Sequence, residues 1–360
     1  MDTEKIINIL PGVVLALVFC LFSQGINNVI GIEIFGTTKS PISTVMIAIL
    51  LGIIMGNAFT PRPGMMIGLD FTQKYILKLG IIFLGIRLSF EEFLKFGTVA
   101  IPLIIVCILS VLILIKLLIR KVPISSKMSY LIAIGTSVCG ATAIVAVAPI
   151  IEAKKTEVAY AIANITLFGV IAMLIYPYFT EWYFYEEPVM AGLFLGTAIH
   201  ETSQVAAAGL IYDQQFNSPE TLNVATVTKL IRNTFLVIMV PLFGFLYNRG
   251  KVKDKNYSIF SIFPYFVLGF IGMIFLRNIG DQIFTIENGN YEFWKTSISY
   301  IKSLATVFLT MAMAAVGISI NLNELKAMGY KPFVVGLIAA LTVGVVSIIS
   351  LEIFSKIFLY

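Results

Sequence analysis

Residues 134–148 read IGTSVCGATAIVAVA, and residues 195–209 read LGTAIHETSQVAAAG. The two stretches share an early Gly-Thr pair, polar residues at their centres and a closing run rich in Ala and Val. Each leads into an apolar run that ends in a proline, Pro177 or Pro241. Each sits in a 24-residue apolar run, 128–151 or 189–212, about 36 Å long as one helix. That length suffices to cross a hydrocarbon core of about 30 Å once, or to enter it, break and return. The choice between crossing and returning sets the topology of the whole chain.

Around these stretches the chain is starved of charge. Of its 360 residues 58% are hydrophobic and only 12% charged, and the mean hydropathy is +0.94. A water-soluble domain carries about 25% charged residues, so much of this chain has no aqueous face. Eleven apolar runs of roughly membrane-spanning length recur, near 8–24, 41–58, 73–90, 97–119, 128–151, 157–179, 189–212, 221–247, 258–277, 296–320 and 332–357. The expected fold is therefore an all-α polytopic membrane protein, 1–360 forming a single integral membrane domain. The first run follows Lys5 and has no small-x-small pattern after Cys20, so it reads as a retained span. Cys20, Cys107 and Cys139 all fall in apolar runs and read as small buried side chains. The net charge of +5 does not indicate nucleic acid, because cytoplasmic loops of membrane proteins collect Lys and Arg.

Those loops fix an orientation. Arg120, Lys121 and Lys127 flank one loop, and Arg249, Lys251, Lys253 and Lys255 fill another, so both are expected inside. Segments 180–188 (Glu181, Glu186, Glu187), 211–220 (Asp213, Glu220) and 278–294 (Asp281, Glu287, Glu292) are acidic, contain no Lys or Arg, and are expected outside. A crossing 128–151 would put Lys154 and Lys155 outside and 180–188 inside, reversing the rule twice. Two re-entrant hairpins, 128–151 from the cytoplasm and 189–212 from outside, put every loop on its expected side. The result is nine crossings, with the N-terminus cytoplasmic and the C-terminus external. Broken helices that do cross are the alternative.

A second internal match supports duplication. GIRLSFEEFLKFG (85–97) recurs as GISINLNELKAMG (317–329) with the same glycine and glutamate spacing. With hairpins, an odd number of crossings separates the members of each pair, so both repeats are inverted. The expected organisation is an extra N-terminal span in 1–40, a first repeat unit in 41–179 and a second in 189–357, in the manner of an inverted-repeat secondary transporter. The plainer reading of the glycines is close helix packing, which leaves the accompanying polar residues unaccounted for.

Those polar residues are the candidate site. Charges at mid-bilayer cost about 2.5–3.5 kcal/mol each and normally face a partner or a hydrated path. Lys229 and Arg232 lie three apart within run 221–247, on one helix face, beside Thr228 and Asn233. Thr136, Ser137, Cys139, Gly140 and Thr142 line the centre of one hairpin segment, and Thr197, His200, Glu201, Thr202, Ser203 and Gln204 the other. Where the helices restart, Thr142 and Thr202 or Ser203 are expected as N-caps that leave backbone N–H groups facing a cavity. Together with the two cations these make a site for a small anion, with Glu201 and His200 as coupling groups for H+ or Na+. An ion pair of Glu201 with Arg232 or Lys229 serving packing alone is the alternative, and it leaves one cation unassigned. Arg87, at a span end with Ser319 as its repeat mate, reads as an interfacial anchor. HETSQ is not HExxH and there is no P-loop, so neither a zinc hydrolase nor ATP-driven transport within this chain is expected, and no cofactor is implied.

GTSVCGATAIVAVAPIIEAKKTEVAYAIA, GTAIHETSQVAAAG and ATVTKLIRNTF, with LGIRLSF upstream, resemble the YeiH-like bacterial inner-membrane family labelled as sulfate exporters. The similarity covers nearly the whole chain. The resemblance implies a multi-pass secondary transporter of the bacterial cytoplasmic membrane, with sulfate, sulfite or an organic sulfonate as substrate. It is also consistent with the broad superfamily of cation-proton antiporters and anion transporters. Expected partners are thus a small anion, a coupling ion and the lipid bilayer, with a homo-oligomer left open. A sodium/proton-type exchanger using Glu201, a channel, and a membrane-embedded enzyme are the competing classes.

Overall fold

A backbone with little access to water must satisfy its N–H and C=O groups internally, and helices do this within one segment. The computed structural model describes residues 3–36, 40–59, 61–118, 124–248, 263–285, 290–323 and 330–358, and among these residues it is helical with no strand. In chain order the helices are α1 (Thr3–Asn28), which continues into a π-helical turn (Val29–Ile34), α2 (Thr44–Ala58) and α3 (Pro63–Phe71). A second π-helical turn (Thr72–Ile76), α4 (Leu77–Leu84), a 3-10 turn (Gly85–Arg87) and α5 (Phe90–Leu118) follow. Next come α6 (Ser126–Ser137), α7 (Ala141–Val147), α8 (Lys155–Tyr183), α9 (Pro188–Ala198), α10 (Thr202–Phe216), α11 (Pro219–Thr234) and α12 (Leu236–Asn248). The last three are α13 (Phe266–Ile283), α14 (Tyr291–Ser319) and α15 (Tyr330–Phe358).

Seven helical stretches among the described residues are long and apolar enough to cross a membrane. They are Asn8–Ile34, Phe90–Leu114, Lys155–Tyr183, Pro219–Phe243, Phe266–Ile283, Tyr291–Ser319 and Tyr330–Phe354. The four other apolar runs correspond to the short helix α2, the interrupted stretch α3–α4, and two helices broken at their centres. Arg120, Lys121, Arg249, Lys251, Lys253, Lys255, Glu287 and the last six residues of the 317–329 match lie outside the described residues.

Contacts divide the chain into two compact units. One comprises Met1–Leu94, Ala206–Asn223 and Tyr265–Leu322; the other comprises Lys95–Val205, Val224–Pro264 and Asn323–Tyr360. In the first, α14 packs along α2 and α4, and α1 along α3. These pairs approach at glycine: a Cβ on Gly52 would stand 2.6 Å from the Ala314 carbonyl oxygen, and one on Gly68 would stand 2.6 Å from the Gly12 Cα. Such small-residue seams let apolar helices gain dispersion contact where lipid offers no hydrophobic drive.

In the second unit the segment containing α6 and α7 returns to its starting point. Ser125 caps α6 by accepting from Met128 N (3.1 Å) and donates to Glu157 Oε1 (2.5 Å) at the start of α8. Lys127 Nζ donates to Glu152 O (2.6 Å), and the Glu157 carboxylate also accepts from Lys154 N (2.8 Å). The chain therefore enters and leaves this segment at one place. The two central breaks fall in the same register of the 134–148 and 195–209 pairing: one helix ends at Ser137 and restarts at Ala141, the other ends at Ala198 and restarts at Thr202.

Candidate functional site

Lys229 and Arg232 project from one face of α11 into the second unit, and both are fully buried. The turn after α10, with Asn217 in the left-handed region (φ 57°), reverses the chain. That reversal brings Asn233 to Thr202, whose Oγ1 accepts from Asn233 Nδ2 at 2.9 Å. The two cations are thereby set beside the breaks between α6 and α7 and between α9 and α10.

A helix end leaves its last carbonyls without intrahelical donors and carries roughly half a unit of negative charge. Here the cations supply those donors. Arg232 Nε donates to Ser137 O (2.9 Å), Nη2 to Thr136 O (2.5 Å) and Nη1 to Thr197 O. Lys229 Nζ donates to Val138 O (3.0 Å), to Ile199 O (3.1 Å) and to His200 O. Each cation thus spans both breaks and ties the C-terminal ends of α6 and α9 to α11. All three ammonium protons of Lys229 are engaged, whereas Arg232 keeps two of its five N–H groups.

Among the described residues the Glu201 carboxylate takes no hydrogen bond and no ion pair, so the closed Glu201–cation pair considered from sequence is not formed. Its half-buried side chain sits against Gly140, where a Cβ would lie 3.3 Å from the Glu201 Cβ. Gly140 has φ +64° and ψ −130°, a backbone region that essentially only glycine populates. It is also the N-cap residue of α7, without a side-chain cap. The expected N-caps are corrected accordingly: Thr142 lies inside α7 and is exposed, and Thr202 and Ser203 lie inside α10. Thr202 gives its hydroxyl to Asn233 Oδ1 (3.3 Å) instead of capping.

The remaining candidates are buried around this centre. Among the described residues His200 Nδ1 and Thr228 Oγ1 have no hydrogen-bond partner. Gln204 Nε2 donates to Thr166 O (3.1 Å), leaving its Oε1 without a donor, and Ser203 is buried beside it in sequence. Thr136 and Ser137 contribute their carbonyls, while the Ser137 hydroxyl bonds Ile134 O (3.3 Å). Cys139 lies within electrostatic reach of Lys229, Glu201 and Arg232, and the repeat alignment sets it opposite His200. Sequence reasoning missed Ser347, whose hydroxyl pairs with that of Thr197 (2.6 Å) beside the second break. Arg87, read as an interfacial anchor, has an ion-pair partner the sequence did not indicate: its Nη1 meets Asp213 Oδ2 at 2.8 Å, with only 11% and 17% of the two side chains exposed.

The arrangement concentrates two buried cations and one carboxylate around two helix breaks. The cations meet the carbonyl ends of α6 and α9, and α10 begins directly after Glu201, whose side chain stands against Gly140.

A family model described as "Conserved hypothetical protein 698" matches residues 11–336. A UPF0324 membrane protein of Streptococcus agalactiae serotype V is 32% identical over 339 residues, covering 94% of this chain and 96% of the relative. One from Fusobacterium nucleatum is 32% identical over 322 residues, covering 88% and 91%. The UPF0324 inner membrane protein YeiH of Escherichia coli K12 is 30% identical over 307 residues, covering 82% and 81%. No solved structure matches the chain. With its helices, its buried cations and these matches along nearly its full length, the chain belongs to the conserved hypothetical protein 698 family, the UPF0324 membrane proteins that include YeiH.

Proposed function

We propose that this protein is a secondary transporter, an exporter of a small anion such as sulfate, sulfite or a sulfonate, that works by alternating access rather than by catalysis. The observation that carries the reading is the fully buried Lys229 and Arg232, with no carboxylate in ion-pair contact among the described residues, joining two broken helices. Two buried cations against a single carboxylate leave a positive surplus that an anion would neutralise. In this reading the engaged Lys229 acts through its field, Arg232 adds its spare N–H groups, and the first N–H groups of α10 provide direct hydrogen bonds near Thr202 and Ser203. Glu201, whose carboxylate has no hydrogen-bond or ion-pair partner among the described residues, and His200, whose Nδ1 has no hydrogen-bond partner among them, are the coupling groups for a proton or sodium ion.

The nine-crossing topology with inverted repeats belongs to the same proposal. Its supports are the closed ends of the α6–α7 segment, the matched register of the two breaks, and the Arg87–Asp213 pair. That pair joins the end of α10 to a span end that the loop charges assign outside. An N-terminus in the cytoplasm and a C-terminus outside follow.

Proteoliposome uptake tests the transport reading. The wild-type chain should show saturable counterflow of one of these anions, lost in Arg232→Ala and altered in pH response by Glu201→Gln. Transport by both variants that matches wild type, with the same pH response, would remove these residues from the site. A second reading, a sodium/proton-type exchanger, is favoured by the unpaired Glu201 carboxylate. It predicts cation flux without any anion requirement.

A further inference from the structure

The first unit contains a cavity of about 430 Å³ where the end of α13 meets the beginning of α14. Arg277, Lys295 and Lys302 line it, against one carboxylate, Asp281. That carboxylate is already committed: Asp281 Oδ2 accepts from Arg277 Nε (2.6 Å) and Oδ1 from Trp294 Nε1 (2.7 Å). Neither lysine Nζ has a hydrogen-bond or ion-pair partner among the described residues. Lys302 lies about 16 Å along α14 from Tyr291, well inside an apolar helix, with Arg87 and Arg277 within electrostatic reach as well as Asp213 and Asp281. An unpaired lysine as deep as Lys302 is expensive unless an anion or water meets it, whereas Lys295 is exposed one turn into the helix. One wall of the cavity is apolar, built by the stacked rings of Phe284 and Trp294, whose centroids are 5.5 Å apart at 22°. The space far exceeds an inorganic oxyanion and falls in the range of organic ligand pockets.

We propose that this cavity binds a phosphate ester, its phosphate held by Lys295, Lys302 and Arg277 and its organic part lying against Phe284 and Trp294. Two sources carry this chemistry: the headgroup of an anionic phospholipid and a water-soluble phosphate ester. The lining suits both, since it combines guanidinium and ammonium donors with the aromatic surface of Phe284 and Trp294. The proposal concerns the first unit only and does not depend on the transport reading.

The full chain reconstituted in phosphatidylcholine nanodiscs, with and without phosphatidylglycerol, provides the test, read by thermal unfolding and by native mass spectrometry of bound lipid. A separate arm adds glycerol 3-phosphate to the phosphatidylcholine discs. The expected result is a higher Tm and retained ligand in one of the two arms, with binding about tenfold weaker or more for each of Lys295→Gln and Lys302→Gln. Lys302→Arg should keep most of the binding. A response to phosphatidylglycerol alone names the lipid; a response to glycerol 3-phosphate names the soluble ester. No response in either arm overturns the proposal. So does an equal loss in Lys74→Gln/Lys78→Gln, a pair remote from the cavity, because the effect would then be general surface charge. Lys295 is exposed, so Lys295→Gln is expected to keep its fold; if Lys302→Gln does not, undiminished binding by Lys295→Gln overturns the proposal.

Discussion

At the scale of single residues, Lys229 is the clearest case of a side chain whose work is hidden from the sequence. Its three donors meet Val138, Ile199 and His200, residues 91, 30 and 29 positions away. Lys229→Met keeps the apolar stem and removes all three donors. Orphaned buried acceptors cost about 1–3 kcal/mol each, so this variant should lose at least about 3 kcal/mol in reversible unfolding, with Lys229→Arg recovering part of it. A loss under about 1 kcal/mol would show that the carbonyls do not need the clamp. Gly140→Ala is expected to destabilise by about 1–3 kcal/mol, since alanine tolerates neither the backbone angles nor the neighbouring Glu201. The burial depth of Lys229, Arg232, His200 and Glu201 was legible from hydropathy alone. The carbonyl partners were not, because no local pattern says which helix ends a side chain on another helix will reach. The N-caps were misread for a related reason: the hydroxyls drew attention, while the backbone angles of Gly140 set the restart.

At the scale of elements, the two breaks are the informative feature. Their matched register was readable from the pairing of 134–148 with 195–209, since a Gly-Thr pair, unfavourable in a helix interior, precedes the break at the same place in each. The tie between Lys127 and Glu152 was not readable even with a hairpin expected, because no local pattern matches that lysine to that one carbonyl. Single cysteines at positions 154 and 186, on a background lacking Cys20, Cys107 and Cys139, should be labelled by an impermeant maleimide from the cytoplasmic side and the outer side respectively. External labelling at 154 with internal labelling at 186 contradicts the hairpins. The amide contacts predict a further effect. Asn164 Nδ2 donates to Pro332 O (2.7 Å) with its Oδ1 lodged against Gly336, so Gly336→Ala should lower Tm through the clash alone. An unchanged Tm would mean that α8 and α15 are free to separate there.

At the scale of the whole molecule, charge scarcity fixed the membrane class, and the few buried charges define what a site can be. The relatives support a membrane family along the length of the chain, and the buried cations are the observation on which the proposed anion site rests. If Glu201 couples transport to protons, Glu201→Gln should carry the anion with a flat pH response between pH 5 and 8, while wild type varies; a wild-type-like profile would place coupling elsewhere. The most direct test is counterflow in proteoliposomes preloaded with sulfate, sulfite or a sulfonate, comparing wild type with Arg232→Ala and with Arg232→Lys. Saturable exchange of one of these anions by wild type, abolished in Arg232→Ala and partly restored in Arg232→Lys, is the predicted result. Wild type that moves none of these anions, or cation flux that persists without any anion, contradicts it.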